Sequence, residues 1–161
     1  MTRTAALRSA HTLGILGLLP FFALALLSWL PDAASIGQLA IAPLARLSLA
    51  AYAAVILSFL GAVHWGFALA DSGMSLPLAR QSLRWGVVPS LLGWLALMLL
   101  FAGVAPWLVF ALLIADLLLV LLADGALLRQ RPASGRSYLE LRSRLTAGAS
   151  LALAIALAGS L

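Results

Sequence analysis

Long apolar runs dominate this chain, at residues 12–30, 45–69, 85–102, 107–127 and 143–161. Each is close to the roughly 20 residues a helix needs to cross a bilayer. A membrane barrel would instead show short alternating strands. Composition gives the same answer: 64% of the chain is hydrophobic and only 9% is charged. A water-soluble fold of 161 residues could not hide so much apolar surface. The expected fold is therefore all-α: one transmembrane domain over residues 1–161, a polytopic bundle of five helices. The first run follows a charged tail, as in a signal peptide. It is long for a signal core and contains Pro20, so it reads as an uncleaved anchor.

The charge pattern sets an expected orientation. All ten basic residues are Arg. Nine of them (3, 8, 80, 84, 129, 131, 136, 142 and 144) fall in or beside the tail, the second loop (70–84) and the third loop (128–142), which share one side of a five-span chain. Arg46 alone falls on the other side. This bias places the N-terminus in the cytoplasm and the C-terminus outside. Arg without Lys, beside so much Ala and Leu, points to a GC-rich bacterial genome and hence to the inner membrane. The net charge of +5 encodes topology rather than a nucleic-acid surface. The middle of the first loop, 31–44, is read as a short interfacial helix. The five Trp residues mostly stand near span ends, where aromatic belts belong.

Ionisable residues inside such runs are the candidate functional groups, because charge is costly in lipid. His64 lies in the second run, and Asp116 and Asp124 lie in the fourth. Alternation of five spans puts His64, Asp124, Arg84 and the start of the third run in one half of the membrane, with Ser90 nearby. His64 paired with either Asp could relay protons or floor a pocket. It could equally be a hydrogen bond that holds two helices together. Pro20 and Pro89 each remove a backbone donor and are expected to kink their helices.

Small residues recur every four positions in two runs: Ala50, Ala54, Ser58, Ala62 and Gly66 in the second, and Gly148, Ala152, Ala156 and Ser160 in the fifth. Each makes a ridge that lets another helix approach closely, and the two ridges are a plausible match for each other. With two His and no Cys, no metal or other cofactor is expected. No phosphate-binding loop, nucleophile elbow or HExxH motif is present.

Several of these residues also form a pattern. Leu13-Gly14, Gly17-Leu18 and Pro20-Phe21 are followed by Tyr52, by Ile56-Leu57-Ser58-Phe59-Leu60-Gly61 and by His64-Trp65-Gly66. Val88-Pro89-Ser90-Leu91 with Trp94, then Asp116, then Tyr138, Leu141-Arg142 and Leu145-Thr146 complete it. The chain thereby resembles the bacterial and eukaryotic membrane family typified by transmembrane protein 69, a domain of unknown function. Ser137 stands where that family has Trp, and Pro132 lies upstream of the family's Pro position. The resemblance supports five spans and implies no activity.

Two expectations follow for function. The first is a non-enzymatic accessory or assembly component, whose partners are lipid and another membrane helix, from a different protein or a second copy. The alternative is a small proton-coupled carrier using His64 and Asp116.

Overall fold

The computed structural model describes residues 3–31, 33–128 and 134–161, without the side chains of 3–7, 127–128 and 134–137. Asp32, Arg129, Arg131 and Pro132, and the side chains of Arg3, Arg136 and Ser137, lie outside the described residues. The elements in order are α1 (Arg3–Leu16), α2 (Leu19–Leu27), β1 (Ser35–Ile36), β2 (Leu39–Ala40), α3 (Ile41–Ala70), α4 (Leu76–Phe101), α5 (Pro106–Leu128) and α6 (Ser134–Ala158). Among the described residues, five helical stretches are long and apolar enough to cross a membrane: Arg8–Leu27, Ile41–Ala70, Leu76–Phe101, Pro106–Ala126 and Tyr138–Ala158.

Several boundaries differ from the sequence reading, each for a local reason. The first span is broken in two. Pro20 has no N–H to give to Leu16, and it starts α2 instead of continuing α1. The Gly17 carbonyl at the break accepts a hydrogen bond from the Tyr52 hydroxyl at 3.0 Å. The middle of the first loop holds no helix among the described residues, and 41–44 already belong to α3. That middle forms a two-stranded antiparallel hairpin, with Ser35 opposite Ala40. Gly37 takes the left-handed φ of +64° that the tight turn needs. The second loop shrinks to 71–75, because Pro77 sits in the first turn of α4, where its missing donor costs nothing. Arg80 and Arg84 are therefore helical. The last helix begins at Ser134 and not at 143, which carries Arg142 into the bundle.

The helices close a ring. α3 packs on α4, α4 on α5, α5 on α6, α6 on α2 and α2 on α3, and α3 also touches α5 across the middle. Phe21, Leu49, Leu57, Val109, Phe110, Leu113, Leu117 and Leu153 form the apolar centre. The tightest crossing joins α3 and α4. A Cβ on Gly61 would overlap the Gly86 carbonyl, and one on Gly86 would stand 2.7 Å from the Gly61 carbonyl. Trp65 Nε1 donates to the Leu83 carbonyl at 3.0 Å beside this crossing. Pro89 is buried there within an unbroken α4, so the expected kink does not interrupt the helix.

The two small-residue ridges do not meet. The α3 ridge turns from inside to outside: Ala50 and Ala54 are buried, the latter against Gly93 of α4, while Ser58, Ala62 and Gly66 are exposed. The helix that carries the second ridge, α6, packs on α5 and α2 instead. Ala152 and Ala156 are buried, and Gly148 lies against Leu18.

Candidate functional site

Three of the long helices bring polar side chains to one buried point. α3 supplies His64, α5 supplies Asp124, and α6 supplies Arg142 and Thr146. Exposure is 4% for His64, 1% for Asp124, 4% for Arg142 and 1% for Thr146. His64 Nε2 lies 2.7 Å from Asp124 Oδ1. Arg142 Nε donates to Asp124 Oδ2 at 3.1 Å, and Arg142 Nη1 donates to Thr146 Oγ1 at 2.8 Å. Both carboxylate oxygens are thus occupied. Phe67 meets Tyr138 edge-on, centroids 6.2 Å apart, and ties α3 to the start of α6 beside this network.

The network explains how these charges survive inside an apolar bundle. A lone buried ion is costly, and a hydrogen-bonded opposite charge compensates it. Arg142 and Asp124 compensate each other. His64 completes the Asp124 shell, and Thr146, one helical turn beyond Arg142, fixes the guanidinium. One polar atom is left over: Arg142 Nη2 is buried and has no partner.

The sequence left open which Asp would meet His64, and the structure selects Asp124. Asp116 stands apart. It is 6% exposed, and neither carboxylate oxygen has a partner. It borders a cavity of about 220 Å³ between α4 and α5, walled by Leu92, Leu95, Ala96, Leu99, Leu112, Ala115 and Leu119. Eight residues along α5 separate the two acids by about 80° and 12 Å. That is enough to turn Asp124 toward α3 and α6 and Asp116 toward α4.

Arg84 and Ser90 are not drawn into the network. Arg84 is exposed and lines an open cleft of about 680 Å³ with Arg80, Gln81 and Trp85. The Ser90 hydroxyl donates to its own helix, at the Val87 carbonyl 3.1 Å away. Among the described residues, no three His, Asp or Glu side chains gather as metal ligands would. Asp124 already spends both oxygens on His64 and Arg142.

Sequence reasoning missed Arg142 and Thr146 as members of the network around Asp124, and Tyr138 beside it. A signal was present. Arg142, Thr146, Ala149, Leu153 and Ala156 recur at spacings of four and three, and all five are buried. Arg142 is therefore in phase with the inner face of its helix.

Comparison with known proteins adds a family and no activity. The family described as "Protein of unknown function (DUF3429)" matches residues 6–158. Transmembrane protein 69 of Xenopus tropicalis is 36% identical over 96 residues, which is 56% of this chain and 33% of that protein. The matched stretch therefore spans about one third of the relative's length. No solved structure matches the chain.

Proposed function

The chain belongs to the DUF3429 family, whose function is unknown, and we propose that it is a non-enzymatic membrane protein that assists or assembles with another membrane complex. We place it in a bacterial inner membrane with its N-terminus in the cytoplasm, on the Arg bias of its tail and loops. One observation carries the reading. The outer face of α3 keeps Ser58, Ala62 and Gly66 exposed at four-residue spacing, unused by the fold. Small residues facing outward from a membrane helix suit close contact with a further helix. The His64–Asp124–Arg142 network fits the same reading, since its members are engaged with one another as a clamp between three helices.

The experiment is purification of the tagged protein in mild detergent, followed by identification of what accompanies it in stoichiometric amount. A defined partner is expected, lost in Ala62→Leu without a change in melting temperature. A change at Ala54, such as Ala54→Leu, would not test partnership, because Ala54 backs Gly93 inside the molecule. If Ala62→Leu retains every partner, the reading fails.

A second reading, proton-coupled carriage by His64 and Asp116, has one observation in its favour: the unpartnered Asp116 carboxylate beside a cavity. The two residues sit in separate places, so a carrier would use them as two sites. A lone monomer or homo-oligomer in the purification shifts the weight to this reading.

A further inference from the structure

The open cleft of about 680 Å³ between α4 and α5 is built from one stripe of α4. Pro77, Arg80, Gln81, Arg84, Trp85 and Val88 recur at alternating spacings of three and one, which keeps them on one helix face, and all line the cleft. Across from them α5 presents the methyl groups of Ala123 and Ala126. Short side chains opposite long ones leave the space between the two helices unfilled.

The cleft is cationic and its charge is not compensated. Arg80 and Arg84 are both exposed. Among the described residues, the ion pairs both belong to Asp124, which is engaged with His64 and Arg142. None of the described residues that line the cleft is acidic. Side chains four apart on a helix have Cβ atoms about 6 Å from each other. One phosphate can therefore accept from both guanidinium groups.

Depth decides what that phosphate belongs to. Counted back from Phe101, the far end of α4, Arg84 lies about 26 Å along the helix and Arg80 about 32 Å. The hydrocarbon core of a bilayer is about 30 Å thick, so the two arginines flank the level where lipid headgroups begin. Trp85, next to Arg84, is a residue type enriched at that boundary. Val88 and Ala123 carry the cleft on into the apolar zone. A free anion gains nothing from such walls, whereas a lipid brings a hydrocarbon chain that covers them.

We propose that this cleft binds one anionic phospholipid, with its phosphate held between Arg80 and Arg84 and an acyl chain laid over Val88 and Ala123. A zwitterionic lipid fits less well, because its ammonium group would meet two arginines with no carboxylate to balance it. This goes beyond the accessory reading and does not depend on it.

Native mass spectrometry of the full chain in detergent micelles tests the site, with phosphatidylglycerol as the probe. One retained phosphatidylglycerol per chain is expected, and phosphatidylcholine should bind at least about tenfold more weakly. Excess inorganic phosphate should not displace the lipid; displacement would mean a site for the free ion and would overturn the lipid. Arg80→Gln and Arg84→Gln should each weaken binding about fivefold, and together about 25-fold. Arg144→Gln removes the same charge from an exposed position on α6 and should change nothing. An equal loss there would mean attraction by net charge alone and would overturn the cleft. Ala126→Phe, at an exposed position, fills the cleft without altering charge and should weaken binding about tenfold. Unchanged binding in Ala126→Phe or in the double Gln variant would overturn the site, and equal binding of phosphatidylcholine would overturn the anionic head.

Discussion

Asp124 holds more of this structure than its single charge suggests. It is hydrogen-bonded to His64 through one oxygen and accepts from Arg142 on the other, at 1% exposure. Asp124→Asn keeps the shape but leaves the Arg142 charge buried and unbalanced. Removing one member of such a pair costs about 3–5 kcal/mol. The variant should melt well below wild type in detergent. The double variant Asp124→Leu with Arg142→Leu should recover part of that loss, because two apolar groups leave no charge behind. A double variant no more stable than Asp124→Asn would mean that the ion pair is not what Asp124 contributes. The sequence marked His64 and offered two aspartates for it. It did not offer Arg142, because an Arg beside an apolar run reads as loop until a carboxylate on another helix is known to face it.

At the scale of single elements, small deviations from helical regularity decide the packing. A four-residue repeat on a 3.6-residue helix rotates by 40° per step. From Ala50 to Gly66 that accumulates to about 160°, so one ridge cannot stay on one face. The buried half serves α4, and the exposed half faces outward. The closest approach falls at Gly61, one turn before His64, where the Gly86 backbone leaves no room for a side chain. Gly61→Ala must push α3 and α4 apart. It should cost about 2–3 kcal/mol, at the upper end of overpacking effects, measurable as a lower melting temperature. Gly66→Ala, with nothing within 4 Å of its added Cβ, is the control and should be close to neutral. Equal effects of the two would remove the argument from close approach. In the first span, Pro20 likewise acts through its surroundings: the break is held by Tyr52, a residue 35 positions away from the Gly17 carbonyl it satisfies.

For the whole molecule, alternation of the spans sets which loops share a side, and the Arg bias is the ground on which we propose that side as the cytoplasmic one. The chain has no Cys, so single cysteines report cleanly. Ser35→Cys in the hairpin should react with a membrane-impermeant maleimide in intact cells. Ser72→Cys in the α3–α4 loop should react only after permeabilisation, and the reverse pattern would overturn the orientation. The number of spans and their all-helical character follow from sequence alone, since lipid cannot hydrogen-bond a backbone and long apolar runs must satisfy their own. The seam residues and the candidate ions were legible for the same reason: polarity and size are local properties. Only the tertiary structure decided which helix each ridge meets, that His64 takes Asp124 and not Asp116, and that Arg142 lies inside. Those outcomes depend on the rotation of each helix about its axis and on what a neighbouring helix presents. Hydropathy along a single chain carries neither.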